Sequence, residues 1–351
     1  MIAYIVRKLL YGVLILWGVA TVIFLLFTIL PSDGARATLG QRSDIASLEA
    51  VKKELGLDKP KWQQYILYLN DISPLGFIHE SNERIDKYSL AGKIKLAKYY
   101  LLIKAPYLRS SYQSKEEVSS IIARSFPNTA ILAILSLGFA LFIGIAAGVI
   151  SALRKDTWLD MSLIIVAAMG IALPSFFSSL IISWLFGFVF SDLTHLNMQG
   201  SLFEYKAYEG RVLALKNLIL PVLTLGIRPL SVITQLTRSS MLDVIKSDYL
   251  RTARAKGLSE KTIVFKHALR NSINPVVTAV SGWLASLLGG AFFVEFIFNW
   301  KGLGKVTIDA LNNSDFPVVM GSVLFISFIF ILINLLVDIV YGIVDPRIRL
   351  S

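Results

Sequence analysis

The sequence predicts an all-α polytopic membrane protein of six transmembrane helices, with an external helical insert after the first. Three observations predict it. Of 351 residues, 55% are hydrophobic and only 17% charged, and the mean hydropathy is +0.64, a composition far more apolar than that of a soluble domain. Apolar runs recur along the chain, each long enough to cross a hydrocarbon layer of about 30 Å. Lys and Arg gather in alternate connections between those runs, as the positive-inside rule requires.

Residues 1–30 form the first helix. Arg7 and Lys8 stand ahead of an unbroken apolar run from 9 to 30 and place the N-terminus in the cytoplasm. A removable signal peptide has a similar outline, but this run exceeds an ordinary h-region and no small-x-small cleavage site follows it. Residues 31–126 then turn mixed and polar, with amphipathic patches SLEAVKKELGLD and KPKWQQYILYLND in which apolar residues recur at spacings of three and four. They read as an external helical loop or cap. Its lysines do not contradict that side, because long loops escape the charge rule.

The remaining spans lie at 128–153, 159 to about 190, 215–237, 276–298 and 318–344, within a transmembrane domain of residues 127–345. Arg154 and Lys155 mark one cytoplasmic connection. The loop 238–275 marks another, with Arg238, Lys246, Arg251, Arg254, Lys256, Lys261, Lys266 and Arg270 against only Asp243, Asp248 and Glu260. The external connections are balanced: Lys206 and Arg211 face Asp192, Glu204 and Glu209, and Lys301 and Lys305 face Asp309 and Asp315. The tail, 346–351, carries Arg347 and Arg349 back on the inner side. Topology and lipid thus account for the net charge of +11, and the interleaved aromatics of a nucleic-acid surface are missing.

Several spans are built to bend or to pack closely. Pro174, Pro221 and Pro229 each remove a backbone donor and are expected to kink their helices. Small residues recur every four positions at Thr278, Gly282, Ser286 and Gly290 in the fifth span, and at Ala140, Gly144, Gly148 and Ala152 in the second. Such stripes let helices approach; the fifth-span stripe serves either a translocation path or static packing. Arg228, Asp338 (four residues after Asn334) and Glu295 are the ionisable groups within or at the ends of spans, and pairing or substrate contact would each explain them.

Catalytic chemistry is absent. GLGKVT from Gly302 suggests a phosphate loop, but Asn299 stands where its first glycine belongs and Val306 where Ser or Thr belongs. His79 and Glu80 begin an HExxH-like string that ends on Glu83, and His195 and His267 are isolated. With no cysteine, thiolate sites and disulfides are excluded. The expectation is no catalytic residue, no metal and no cofactor.

The loop 238–275 is the most structured signal outside the spans. Met241, Ile245, Tyr249 and Ala253 repeat every four residues as one helical face. Gly257 can close that helix in the left-handed conformation, with Arg254 and Lys256 at its negative end. Ser259 and Glu260 open a second helix carrying Ile263, Phe265, Ala268, Leu269 and Ile273, and Pro275 begins the fifth span. On physical grounds this helix, glycine bend and helix suits anionic headgroups and a protein partner equally.

The string DYLRTARAKGL followed by FKHALRNSINPVVT closely resembles the cytoplasmic EAA loop of ABC-importer permeases, in the form found in the dipeptide, oligopeptide and nickel importers. The resemblance extends to LPSD, ELGLDKPKWQQY, SFPNTAILAIL, LPSFFSSL, NLILPVLTL, LTRSSMLDVIKSDY, EFIFNWKGLG and NLLVDIVYGIVDPRIR. It implies a MetI-like permease fold in the cytoplasmic (inner) membrane of a prokaryote, with both termini cytoplasmic. It implies a homologous second permease, two ATP-binding subunits that hydrolyse ATP and an external solute-binding protein. The ATPase-facing residues it implies are Tyr249, Arg251, Thr252, Ala253, Arg254, Ala255, Lys256 and Gly257. Arg251, Thr252 and Ala253 stand where the general pattern has Glu-Ala-Ala, a departure shared with the peptide and nickel branch. Residues 77–106 look like an insertion, and 191–216 lack the family's proline pattern.

The resemblance implies ATP-driven import of di- or oligopeptides or a related solute, with nickel, opines and glutathione as alternatives. An ion-coupled transporter or channel is the rival reading. It would call for buried carboxylates and an internal repeat, whereas Asp338 is the only acid deep in a span.

Overall fold

A computed structural model describes residues 2–29, 58–79, 88, 90–96, 99–206, 208 and 210–344. The predicted helical patch at 47–58 falls almost entirely outside them, as do the tail 346–351 and part of the insertion. The chain forms two compact units, one of residues 1–125 and 306–328, the other of 126–305 and 329–350.

In the first unit, α1 (Ile2–Ile29) is followed by α2 (Lys61–Ile72). Ala20 and Phe24 of α1 pack with Tyr68 and Leu324, Phe24 stacks on Tyr68 at 5.8 Å, and Thr21 shares a 2.6 Å hydrogen bond with the Tyr65 hydroxyl. The described residues of the insertion form strands where the sequence predicts a helical cap. β1 (Leu75–His79), β2 (Leu90–Leu96) and β3 (Tyr99–Lys104) make an antiparallel sheet with β3 central. The cause is a period-two pattern, Lys93-Ile94-Lys95-Leu96, that a helix cannot sort. Asp71, buried, ties sheet to helix: its carboxylate accepts from Tyr88 at 2.7 Å and Arg109 at 2.8 Å, and its carbonyl accepts from Lys104 at 2.7 Å. Burial holds the Lys104 ammonium below the usual lysine range, partly offset by Asp71.

The second unit holds most of the membrane architecture. α3 (Val118–Leu153) enters it from residue 126 and runs on from Pro127 without a break. α4 (Trp158–Ala172) and α5 (Ser175–Trp184, extended by a π-turn over Leu185–Val189) are set at 111° to each other. The bend lies at Pro174, where Leu173 is extended at ψ 128°, the conformation a following proline imposes. Pro221 and Pro229, by contrast, lie inside one continuous helix, α6 (Lys216–Ile245). Before it, the segment 191–216 contains a hairpin, β4 (Phe203–Lys206) with β5 (Gly210–Leu213). After α6 come α7 (Asp248–Ala255), α8 (Glu260–Ser272), α9 (Asn274–Gly290), α10 (Phe292–Ile297), α11 (Leu303–Asn312) and α12 (Phe316–Val344).

Among the described residues four helices are long and apolar enough to cross a membrane, and the bent pairs α4–α5 and α8–α9 bring the number to six if each pair is one span. The chain is therefore mainly helical and polytopic, with two small sheets among the described residues. The core of the second unit is centred on Leu132, Leu220, Leu288, Val294, Phe298 and Trp300.

The second-span stripe is packing. A Cβ on Gly148 would lie 2.5 Å from Thr237 Cβ and 2.7 Å from the Thr234 carbonyl. One on Gly144 would lie 3.0 Å from the Leu230 carbonyl. These glycines let α3 and α6 touch backbone to backbone.

A candidate coupling loop and the helix faces beside it

α6 ends because Ser247 turns extended, at φ −71° and ψ 145°, and starts a new helix as the N-cap position of α7. That interruption shifts the register. Met241 and Ile245 therefore belong to α6, and Tyr249 does not continue their buried face: it is exposed, and Leu250 takes the interior position instead. Leu250 and Ala253 pack against Val149 and Ala152 at the end of α3 and against Ile263, Val264 and Ala268 of α8. Leu250 was not among the residues singled out in the sequence, because a four-residue repeat carried through from Met241 points to Tyr249.

α7 closes as a Schellman motif. The Gly257 N–H donates to the Arg254 carbonyl at 2.9 Å and the Leu258 N–H to the Ala253 carbonyl at 3.3 Å, with Gly257 at φ +77°. Ser259 then caps α8, accepting from the Thr262 N–H at 3.4 Å. Arg254 Nε donates across the bend to Glu260 at 2.9 Å. Asn271 donates to the Tyr249 hydroxyl at 2.7 Å. Of the predicted docking residues only Ala253 is buried; Tyr249, Arg251, Thr252, Arg254, Ala255, Lys256 and Gly257 are exposed. The bend thus offers a cationic edge on a pinned base.

A second anchor lies at the foot of α6. Arg238 donates from Nε and from an Nη to the two carboxylate oxygens of Asp160, each at 2.7 Å. The same carboxylate accepts from the Ser151 hydroxyl and from the Asp156 N–H at 3.0 Å. Asp160, at the start of α4, is buried.

On α9, Thr278, Gly282 and Ser286 lie on an exposed face, and nothing approaches within 4 Å of a Cβ built on Gly282. Gly290 ends that helix. Glu295 does not share the face. It is fully enclosed, one oxygen accepting from the Lys305 N–H at 3.1 Å, with Gly302 so close that a Cβ there would lie 2.4 Å from the carboxyl group. Its place is set by the loop 298–305 turning back on α3: Trp300 Nε1 donates to the Asn128 carbonyl at 3.0 Å and the Leu303 N–H to the Thr129 hydroxyl at 2.8 Å. Arg228 is exposed on α6. Among the described residues no cluster of His, Asp or Glu could hold a metal ion.

The chain matches the family described as binding-protein-dependent transport system inner membrane component over residues 144–350, and the N-terminal portion of such components over residues 1–83. It is 32% identical to the dipeptide transport system permease protein DppB of Alkalihalophilus pseudofirmus, over 99% of this chain and 100% of that one. It is 34% identical to the di/tripeptide permease protein DppB of Pseudomonas aeruginosa, over 99% of each chain. Identity is also 34% to the glutathione permease protein GsiC of Escherichia coli K12, again over 99% of each. In fold it resembles a chain of the MetNI methionine ABC transporter in an inward-facing conformation, with TM-score 0.50 and 16% identity over 64% of this chain and 97% of that one.

Proposed function

The chain belongs to the family of binding-protein-dependent transport system inner membrane components, and from that premise we propose that it is the permease subunit of an ATP-driven importer of peptides or of a related small solute such as glutathione. It performs no chemistry itself; ATP hydrolysis falls to partner subunits. Full-length similarity to dipeptide, di/tripeptide and glutathione permeases supports the substrate class. The observation that carries the mechanism is α7, a short helix closed by Gly257 and seated through Leu250 and Ala253 on the ends of α3 and α8.

A helix so placed transmits displacement. When two ATPase subunits close, a groove gripping Tyr249, Arg251, Thr252, Arg254 and Lys256 pulls α7, and the buried contacts pass the pull to α3, α6 and α8. With a homologous second permease completing the path, the exposed α9 face of Thr278, Gly282 and Ser286 lines the route, and the solute crosses unchanged. An external solute-binding protein delivers it, and both termini lie in the cytoplasm. Glu295 holds the external loop and does not line the route.

Affinity purification of the tagged chain from its native membrane tests this. ATPase subunits should co-purify, and Arg254→Ala combined with Gly257→Val should abolish peptide uptake while the chain remains in the membrane. Uptake that persists in that variant, or that runs on an ion gradient with no ATPase bound, would overturn the reading.

A further inference from the structure

The sheet of the first unit wears its apolar residues on the wrong side. In an antiparallel sheet with one face covered, the open face is ordinarily polar. Here Leu102 and Lys104 of β3 point to the covered face and are buried, and the register puts Lys93 and Lys95 on that same face, with the Lys93 ammonium 3.9 Å from the Tyr100 ring centre. The opposite face carries Leu75, Phe77, Ile94 and Ile103 in paired register. They are 54%, 64%, 52% and 45% exposed respectively.

α2 meets the sheet at its β1 edge and carries exposed apolar residues of its own. Trp62 and Ile66 lie one turn apart on its exposed side, and Asn70, one turn further, accepts a 2.8 Å hydrogen bond from the Phe77 N–H. Four large apolar side chains thus lie on the open sheet face, and two more on the exposed side of the helix that meets the β1 edge. Exposed apolar groups gathered in this way mark an interaction site.

Its depth identifies the partner. α2 is fixed to α1 at Thr21 and Phe24, which lie about 8–12 Å before the end of α1 at a rise of about 1.5 Å per residue. Counting about 20 residues from Leu9, the first residue beyond the basic pair, puts the far hydrocarbon boundary near Thr28. The contacts to α2 therefore lie about 6–10 Å inside that boundary, the depth to which interfacial amphipathic helices bury their apolar side.

We infer that the α2 stripe and the open face of the β1–β3–β2 sheet rest on the phospholipid surface of the leaflet at the C-terminal end of α1. This holds the insertion against the bilayer. The inference rests on the reading of α1 as a membrane span.

The chain has no cysteine, so single substitutions give unique nitroxide sites. Phe77→Cys, Ile94→Cys and Ile103→Cys, all exposed and so harmless to the core, would be labelled in the full chain in nanodiscs of phosphatidylethanolamine and phosphatidylglycerol. Lys95→Cys reports the other face and Leu14→Cys the span. Collision with oxygen relative to a water-soluble nickel chelate should be severalfold higher at 77, 94 and 103 than at 95. A nickel-dominated ratio at those three sites, equal to that at 95, would show the face in water and overturn the inference; shielding from both agents would show a protein cover and overturn it equally. If the label at 14 also meets nickel, the span reading has failed and the inference falls with it; lipid contact at 14 with water contact at 77 isolates the failure to the docking.

Discussion

Arg238 holds both carboxylate oxygens of Asp160 at 2.7 Å across 78 positions of sequence, and thereby ties the foot of α6 to the start of α4. Arg238 is the first residue of the cytoplasmic loop predicted from sequence, so any pull on α7 that reaches α6 must act through or against this clamp. Asp160→Asn removes the charge and leaves a partly buried guanidinium without its ion-pair partner, a loss of about 1–3 kcal/mol. A thermal melt in nanodiscs should show a lower midpoint for Asp160→Asn and for Arg238→Met. The pair Asp160→Leu with Arg238→Leu should be less destabilised than the sum of its singles, because neither variant charge is then left alone. Additive losses would show that the two residues act independently.

Leu250 and Gly257 separate anchoring from shape. Leu250→Ala empties a fully buried position in the cluster joining α7 to α3 and α8, at a cost of about 2–5 kcal/mol. It should weaken co-purification of ATPase subunits more than Thr252→Ala, whose side chain is exposed. Around Gly257 there is open space, so the penalty of Gly257→Ala comes from its φ of +77° alone, about 1–2 kcal/mol. Gly257→Asn should retain more uptake than Gly257→Val, since asparagine tolerates the left-handed region and a β-branched side chain does not.

Long apolar runs made the spans legible, and Gly257 with Ser259 made the helix–bend–helix loop legible, because both signals are local. What escaped depended on partners distant in sequence or on a single backbone torsion. Nothing near Asp160 announces Arg238. The extended turn at Ser247 silently exchanged Tyr249 for Leu250 as the buried residue. Three prolines of identical chemistry behaved differently: Leu173 goes extended and the chain turns 111° at Pro174, while Pro221 and Pro229 stay inside α6. In the insertion the period-two signal is confined to a short run at 93–96, and its polarity is inverted: Lys93 and Lys95 share the face of buried Leu102 while Ile94 is on the open face.

Two glycines at matching stripes should respond oppositely. A methyl on Gly148 meets the Thr234 carbonyl and the Thr237 side chain, neither of which can yield without parting α3 from α6, so Gly148→Ala should lower the membrane yield and melting midpoint. Gly282→Ala meets nothing within 4 Å and should leave both unchanged. Gly282→Trp is then the informative variant: normal yield with uptake lost places that face on the route, and normal uptake removes it.

Glu295 offers the last contrast, between charge and shape. Its carboxyl group is enclosed, one oxygen accepting from the Lys305 N–H and the other without a hydrogen-bond partner. Glu295→Gln keeps the volume and the acceptor, so uptake and melting midpoint should stay close to the parent. Glu295→Ala removes the acceptor of the Lys305 N–H and opens a cavity in an enclosed site, a cost of about 2 kcal/mol or more. Gly302→Ala drives a methyl group to within 2.4 Å of the same carboxyl atoms; the enclosed acid cannot swing away, so it should disrupt the loop 298–305 as severely. Loss of uptake in Glu295→Gln with an unchanged melt would instead show that the charge itself takes part in transport.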